Sequence, residues 1–399
     1  MAFLLNKFRV LFRKVEDLRR LTPRRNRMKE KWAATHPKHP PTRLALQHFD
    51  SSYGAQLGPL WPSVRVALLS ERKYGALLNS FSHDSALAEL QAQGCRDFIS
   101  HEDRLGLFKL ICEVGAEKGS SEVSLASAEV LSQQQCPPQL SPHLKCLVFP
   151  RGDVTRFKPA RPDKFGLLAY YLMDAASILP CLALDVQEGH TVLDLCAAPG
   201  GKTLALLQTQ LIRFLCINDS SMSRASRLRK VLHSYVPKQF LTDENLRITS
   251  FDGTMWREME RETFDRVLVD VPCTTDRHSL MEDDNNIFSK SRMGERRRLP
   301  QLQLQLLLAG ITAACPGGEV VYSTCTLSQN QNLSVVEHAV HFAQEQHGIQ
   351  LQVVSLKPLM QKFRNTFHFA PELHLGEMVI PHLAANFGPI YLCKLKRLT

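Results

Sequence analysis

The sequence predicts an α/β protein: a doubly wound, mostly parallel sheet forms the main domain, and a smaller, mainly helical N-terminal segment precedes it. From about residue 144, short apolar runs typical of fully buried strands alternate with helical stretches, which indicates a sheet covered on both faces. An acid or a cysteine ends each of five successive strand candidates, which indicates a ligand-binding edge. The 399 residues are 44% hydrophobic, which is ordinary for a globular protein of two domains.

Residues 1–26 are predicted to be a mitochondrial presequence. The first fifteen residues contain no acid, and their Phe and Leu side chains fall near one face of a helix. Residues 1–30 hold ten Lys or Arg and three acids, so +7 of the net charge of +10 lies there and the rest of the chain carries only +3. A basic, amphipathic, acid-poor N-terminus is typical of presequences. The alternative is a basic amphipathic helix of the mature protein, for a membrane surface or nucleic acid.

Residues 27–143 are predicted to be a helical docking segment that ends in a linker. Residues 120–143 are rich in Ser, Gln and Pro, as linkers are. No apolar run approaches the roughly 20 residues that span a bilayer, so we expect a soluble protein with no membrane partner. The 11 cysteines form no CxxC pair, which argues against a disulfide framework and a metal site and favours a reducing compartment.

The main domain is predicted over residues 144–399. Its strand candidates are residues 191–195, 214–219, 246–252, 265–272 and 319–325, with closing strands in 351–356 and 389–398 and helices around 300–314 and 330–347. Ligands of doubly wound sheets bind beyond the carboxyl ends of the strands. The groups expected at that edge are Asp194, Asp219, Asp252, Asp270 with Cys273, and Cys325.

The loop CAAPGGKT, residues 196–203, is the candidate cofactor-binding loop. Gly200 and Gly201 let a ligand approach the backbone closely, and the helix that follows offers free amides. The loop lacks P-loop spacing and a good GxGxxG pattern, so a nucleoside triphosphate is not expected. Asp219 at a ribose and Asp252 at an exocyclic amine favour S-adenosylmethionine. The alternative for each Asp is a helix cap or a turn.

Three motifs in this order, VLDLCAAPGGKT, DVPCTT and YSTCTLS, resemble the Sun/Fmu-type RNA cytosine-5 methyltransferases. The resemblance implies a Rossmann-like domain that depends on S-adenosylmethionine. Further stretches resemble the mitochondrial ribosomal-RNA member of that family and extend the likeness over nearly the whole chain: KWAA, RLALQHFD, YYLMDAAS, DRHS, NNIFSKSR and NFGPIYLCK. Met173 departs from the family, in which many members carry Gln at this position.

The resemblance also implies the role of each cofactor-binding residue. These are Cys196 through its backbone, Gly200, Gly201 and Lys202 on the methionine side, Asp219 on the ribose, Arg224 in support, Asp252 and Gly253 on the adenine side, and Asp270 where cofactor and base meet. The implied activity is methylation of cytosine C5 in mitochondrial ribosomal RNA, with the small-subunit RNA as the expected substrate and a role in ribosome assembly.

Cytosine C5 is a poor nucleophile, so its methylation needs a thiolate that adds to C6 and makes C5 reactive. An acid held protonated at the base, for which Asp270 is the candidate, would stabilise charge on the ring. Chemistry alone does not choose between the two thiols. The Pro-Cys motif of DNA cytosine-5 methyltransferases points to Cys273, but their downstream Glu-Asn-Val motif is absent. The resemblance assigns the attack to Cys325 and the breakdown of the adduct to Cys273.

The expected partners are ribosomal RNA, mitochondrial ribosomal subunits and, from the resemblance, an mTERF-type helical-repeat protein in the mitochondrial matrix. The weakly basic body predicts weak affinity for RNA alone. Residues 289–298 are the candidate RNA channel, with a solvated loop as the alternative, and Lys394, Lys396 and Arg397 are the other local basic group. Two rival functions are a non-catalytic assembly scaffold and a small-molecule methyltransferase, and the paired cysteines argue against the second.

Overall fold

The computed structural model describes residues 39–83, 86–100, 140–371 and 373–399. The predicted presequence, residues 1–26, lies outside them, and so does the predicted linker apart from residues 140–143. The boundary between residues 143 and 144 therefore stays a prediction. Residues Pro41–Thr399 pack as one compact unit.

The strands of the described residues belong to two sheets. They are β1 (Gly75–Leu78), β2 (Arg96–Asp97), β3 (Cys146–Val148), β4 (Tyr170–Met173), β5 (His190–Asp194), β6 (Ile212–Asn218), β7 (Leu246–Thr249), β8 (Phe264–Asp270), β9 (Ala314–Thr324), β10 (Leu351–Val354), β11 (Glu377–Val379) and β12 (Ile390–Arg397). The main sheet has eight strands, ordered β10-β12-β9-β8-β5-β6-β7 with β11 paired to β12. Its middle, from β7 to β9, is parallel, whereas β12 and β10 are antiparallel to their neighbours.

The α-helices of the described residues cover both faces of this sheet. They are α1 (Pro41–Leu57), α2 (Trp61–Leu69), α3 (Leu87–Ala92), α4 (Leu179–Leu184), α5 (Gly201–Gln208), α6 (Met222–Tyr235), α7 (Trp256–Met259), α8 (Asp276–Met281), α9 (Met293–Ala313), α10 (Leu333–His347) and α11 (Lys357–Lys362). Side chains of α4, α5 and α6 form one buried cluster, and those of α1, α2, α9 and α10 form another. Adjacent residues of β5 point to opposite clusters, Val192 to the first and Leu193 to the second. The predicted doubly wound fold is confirmed, because its central strands are apolar on both faces.

Helix α9 begins earlier than predicted. The sequence analysis placed it around residues 300–314. In the structure the helix begins at Met293 and continues through Pro300, which costs it one backbone hydrogen bond.

Gly310 lies where α9 crosses the central strand β8, and its missing side chain permits the close packing. A Cβ atom there would lie 2.5 Å from Val269 Cγ2, a branched side chain buried within the sheet. We expect Gly310→Ala to lower the free energy of unfolding by about 1–3 kcal/mol, because an overpacked core must shift. Urea denaturation measures this change.

Gly294 provides the matched control in the same helix. It is exposed, and a Cβ atom there would lie 3.9 Å from the Arg298 guanidinium. Gly294→Ala is expected to leave stability unchanged or to raise it by up to about 1 kcal/mol, the helix preference of alanine. Equal effects of the two substitutions would contradict the packing explanation.

The described part of the N-terminal segment contains more helix than strand, as predicted. Its strands β1 and β2 join β3 and β4 in an antiparallel sheet, ordered β2-β3-β1-β4, that the sequence analysis did not predict. Strands of two to four residues are too short to give a periodic signal. Among the described residues, no helix combines the length and apolar character needed to cross a membrane.

Candidate active site

The carboxyl ends of five parallel strands meet at one edge of the main sheet. The strand order reverses beside β5, which has β6 on one side and β8 on the other. Ligands of doubly wound folds bind in the crevice at such a point. The residues predicted at strand ends therefore follow strands that end at the same edge: Asp194, Asp219, Asp252, Asp270, Cys273 and Cys325.

The candidate cofactor loop connects β5 to α5 and begins that helix with two glycines. Gly200 has a φ of +110°, a left-handed conformation that favours glycine, and it occupies the N-cap position. A Cβ atom on Gly201 would lie 3.1 Å from Tyr171 Cε1 and 3.5 Å from Met173 Cε. Met173, the departure from the family, therefore packs beside this loop. Burial raises the pKa of the Cys196 thiol, so this cysteine stays protonated, in keeping with a backbone role.

Asp194 is a site residue to which the sequence analysis gave no role beyond its position at a strand end. The side chain is fully buried, and Thr203 Oγ1 donates a hydrogen bond of 2.7 Å to its Oδ2. Its Oδ1 is buried and has no hydrogen-bond partner among the described residues. Burial raises the pKa of Asp194 to about 7. An unpaired buried oxygen costs about 1–3 kcal/mol, so the site suits a ligand that brings a hydrogen-bond donor.

Asp219 and Arg224 brace the cofactor loop from the end of β6. Asp219 is 2% exposed, and its carboxylate accepts hydrogen bonds from the backbone amides of Ala198, at 3.2 Å, and Ser221, at 3.0 Å. Arg224 Nη1 lies 3.3 Å from Asp219 Oδ2, and its Nη2 donates to the carbonyl of Ala198. Both predicted residues therefore adjoin the loop, and they hold its backbone in place.

Asp252 and Gly253 follow β7 at the far side of the site. Asp252 is exposed, and its Oδ1 accepts from the Thr254 amide at 3.0 Å and the Thr254 hydroxyl at 2.9 Å, as an N-cap does. A Cβ atom on Gly253 would lie 2.7 Å from Leu306 Cδ2. The capping alternative thus describes the local structure of Asp252, and the adenine role stays a prediction.

Lys202 and Asp270 form an ion pair between the cofactor loop and the end of β8. Lys202 Nζ lies 2.8 Å from Asp270 Oδ2, and Ser323 Oγ donates a 2.7 Å hydrogen bond to Oδ1. Burial alone would lower the pKa of Lys202, but the charge and hydrogen bond of Asp270 raise it above its ordinary value. Both oxygens of the Asp270 carboxyl group are therefore engaged, and the protonated form expected from the sequence stays a prediction.

The two predicted cysteines are in direct contact. Cys273 Sγ lies 3.2 Å from Cys325 Sγ, and the backbone amide of Thr275 donates to Cys273 Sγ at 3.4 Å. The hydrogen bond from Cys325, helped by the Thr275 amide, lowers the pKa of Cys273. The same hydrogen bond and burial raise the pKa of Cys325. The two thiols therefore titrate as a coupled pair, in which Cys273 is the more readily ionised of the two.

Two basic residues of the predicted RNA channel, residues 289–298, interact with neighbouring side chains of the protein. Arg292 pairs with Glu295 at 2.6 Å, and the Arg296 guanidinium lies 4.3 Å from the centre of the Phe288 ring. The other basic residues of this stretch, Lys290, Arg297 and Arg298, are exposed.

The second basic group of the sequence analysis does not form a free surface. Lys394 is buried and lies 2.8 Å from Glu319, while Arg397 is buried and lies 2.6 Å from Glu262. Two of these three cations therefore neutralise acids of the fold, since a buried charge requires a partner. Lys394 and Arg397 therefore do not belong to an exposed basic surface.

A doubly wound sheet, a glycine-rich loop without phosphate-binding spacing and two touching thiols define a class, the S-adenosylmethionine-dependent methyltransferases that act on a nucleobase. Comparisons with known proteins identify the family within that class. The model of the 16S rRNA methyltransferase RsmB/F family matches residues 181–386. The 5-cytosine rRNA methyltransferase NSUN4 of Bos taurus is 54% identical over 378 residues, which cover 94% of each chain. The NSUN4 protein of Xenopus laevis is 50% identical and covers 97% of this chain and 98% of its own.

The chain therefore belongs to the RsmB/F family, and it is an RNA cytosine-5 methyltransferase whose cofactor is S-adenosylmethionine. This confirms the family that the three sequence motifs indicated. Two solved structures share the fold at low identity. A methyltransferase homologue from Pyrococcus horikoshii has a TM-score of 0.57 at 19% identity, covering 91% of this chain and 100% of that one. NSun6 from the same organism, solved with SFG, has a TM-score of 0.54 at 16% identity, covering 91% and 98%.

Proposed function

We propose that this enzyme methylates C5 of a cytosine in ribosomal RNA through a covalent bond between Cys325 and C6 of the base. The contact between two thiols at the cofactor edge carries this proposal, with the sulfurs 3.2 Å apart. Methylation of an oxygen, nitrogen or sulfur atom needs no such pair. The names of the NSUN4 relatives, which are rRNA methyltransferases, support the substrate class.

The cofactor is held by the backbone of residues 196–203 together with the acids around it. S-adenosylmethionine supplies the methyl group when bound. Asp194 Oδ1, the unpaired buried oxygen, accepts a hydrogen bond from the amino group at the methionine end. Asp219 binds the ribose with Arg224 in support, and Asp252 with Gly253 borders the adenine. The left-handed Gly200 permits the turn that begins α5, and Gly201 lets this turn pack closely against Tyr171.

The attack begins when Cys325 loses its proton to solvent and its thiolate adds to C6 of the base. After methylation the C5 proton passes to solvent, the electron pair of the C5–H bond forms the C5–C6 double bond, and the bond between C6 and Cys325 breaks. The Cys273 thiol, 3.2 Å away, donates its proton to the departing Cys325 thiolate and regains a proton from solvent. Cys273 thus serves the release of the product.

Lys202 and Asp270 recognise the edge of the cytosine. The ammonium donates to N3 or O2 of the base, and the carboxylate accepts from the exocyclic amine. Charge that develops on the ring during attack is stabilised by the ammonium, which is 13% exposed and thus poorly screened by water. The sequence analysis assigned recognition of the base to Asp270 alone, and this proposal adds Lys202.

The setting that we propose is the mitochondrial matrix, with the small-subunit RNA as substrate and ribosome assembly as the wider role. The predicted presequence supports the location, as does the mitochondrial tRNA methyltransferase of Danio rerio, which is 36% identical over 357 residues. The modest charge of the body outside residues 1–30 supports a need for help in holding RNA. An mTERF-type helical-repeat protein, docked on the N-terminal segment, and the ribosomal subunit itself are the partners that we propose.

A non-catalytic scaffold for ribosome assembly is the second candidate function. The features against it are the contact between the two cysteines, the Lys202–Asp270 ion pair and the glycine-rich cofactor loop, all at the same edge of the sheet. A scaffold that acts only by recruiting partners needs none of these contacts.

Incubation of the purified protein with labelled S-adenosylmethionine and mitochondrial small-subunit rRNA tests the proposed function. We expect label on C5 of cytosine in digested RNA. The large-subunit rRNA is the matched control, and it should remain unlabelled. If the protein binds S-adenosylmethionine but transfers no methyl group to the RNA, with or without ribosomal proteins, the proposed methylation is contradicted and the scaffold function remains.

A further inference from the structure

Helix α1, in the N-terminal segment, contacts the two cysteine loops, which are the segments that follow β8 and β9 and carry Cys273 and Cys325. Its residue Tyr53 is 2% exposed, and its hydroxyl group donates a 2.9 Å hydrogen bond to Asp276 Oδ2. Asp276 is the first residue of α8, three positions after Cys273. A residue far from the catalytic motifs in sequence thus reaches the segment that carries the release thiol.

Asp276 connects the two cysteine loops to each other. Its Oδ1 accepts from Thr274 Oγ1 at 2.9 Å, and its Oδ2 accepts from the backbone amide of Leu327 at 2.8 Å. Its own amide donates to the carbonyl of Cys325 at 3.3 Å. The carboxylate is fully buried, and hydrogen bonds to a buried charge are among the strongest in proteins.

The residue after each cysteine takes part in the same network. Thr274 follows Cys273, Thr326 follows Cys325, and their hydroxyl oxygens lie 2.8 Å apart. The Tyr53 oxygen lies 3.1 Å from Thr326 Oγ1. The Tyr53 hydroxyl group therefore contacts Asp276, three residues after Cys273, and Thr326, the residue after Cys325.

The ring of Tyr53 is fixed by its neighbours, so its hydroxyl group has a defined position. Phe49 stacks on it with ring centres 4.8 Å apart, and Trp61 packs edge-on at 5.5 Å. Gln56, almost one turn along α1, adds a second tie, since its Nε2 donates to the carbonyl of Leu327 at 2.7 Å. Helix α1 is thus attached to the Cys325 loop by two side chains.

We propose that Tyr53 is a positioning residue that sets the distance between the two thiols through Asp276. The inference rests on the proposed function, because it concerns the same pair of sulfurs. Two loops that carry sulfurs in contact need support from outside themselves, and a misplacement of about 1 Å can cost about 10²-fold in rate. The phenol and the buried carboxylate provide that support.

Tyr53→Phe tests the proposal, because it removes only the hydroxyl group and keeps the ring in its cluster. We expect kcat for methyl transfer to fall about 10-fold or more, while KM for RNA and the Kd of S-adenosylmethionine stay within about twofold. Tyr170→Phe is the matched control. Tyr170 lies in the small sheet, and its hydroxyl group likewise donates a hydrogen bond, here to the backbone carbonyl of Lys158 at 2.7 Å. This variant should keep the kcat of the wild type.

The other results are distinguishable. An unchanged kcat in Tyr53→Phe, with an active wild type, would overturn the positioning role, whereas an inactive wild type would overturn the proposed function. Thermal unfolding of each variant fixes an assay temperature well below its midpoint. If Tyr53→Phe does not fold, Thr326→Val and Thr326→Ser decide: the loss of kcat in the first and its recovery in the second support the network. Equal kcat in these two variants contradicts it.

Discussion

Replacement of Cys325 by alanine is expected to abolish methyl transfer, with a loss of about 10³-fold or more, because the base is then never activated. The covalent protein–RNA species should disappear as well. RNA that contains 5-fluorocytidine makes this visible, since fluorine cannot leave C5 as a proton does and the adduct persists. Denaturing gel electrophoresis with this RNA measures the adduct, and the Kd of S-adenosylmethionine should be unchanged.

Cys315→Ala is the matched control for this experiment. Cys315 is a free cysteine at the start of β9, at the end of that strand opposite the active site. It should form the adduct and transfer methyl groups as the wild type does. An adduct that still forms in Cys325→Ala would reverse the assignment and make Cys273 the nucleophile, as the lower pKa of Cys273 in the resting pair would allow.

Replacement of Cys273 by alanine is expected to give the opposite phenotype, an adduct that accumulates on ordinary RNA. Cys325 loses the sulfur that lies 3.2 Å away, and with it the proton donor for its departure from C6. Turnover should fall by about 10²-fold or more, the range of general acid catalysis. A band that resists denaturation, and that contains methylated cytosine after nuclease digestion, is the expected observation.

The double variant Cys273→Ala with Cys325→Ala separates this outcome from nonspecific trapping. It should form no adduct, because the trapped bond involves Cys325. Cys273→Ala with normal turnover and no accumulated adduct would contradict the release role. Cys273→Ala without any adduct even on 5-fluorocytidine RNA would instead show that Cys273 is needed for the attack.

Much of the site was predictable because strand ends are visible in sequence. Apolar runs followed by Asp or Cys located the groups at one edge, and the CAAPGGKT loop identified the cofactor side. The Lys202–Asp270 pair was not predicted, since neither residue alone reveals which partner lies across the crevice.

Contacts between distant parts of the chain were beyond sequence patterns. Tyr53 and Asp276 are separated by 223 positions, and each belongs to an ordinary-looking segment. A basic residue looks the same whether it faces solvent or, as Lys394 does, a buried acid. Pattern reading reports local periodicity, and it does not report which surfaces the fold brings together.

The hydrogen bonds from α1 to the cysteine loops determine which part of this enzyme could be exchanged with a relative. The stretch shared most recognisably with its family, residues 181–386, contains both thiols and the cofactor loop, but not Tyr53 or Gln56. It also stops short of β12, which pairs with the strand that leads to Cys325. If residues 181–386 alone were transferred to a relative, they would bring the two thiols and the cofactor loop without the α1 side chains that we propose to position the thiols. The smallest unit that can be exchanged between relatives therefore includes α1, however little that helix resembles a catalytic element.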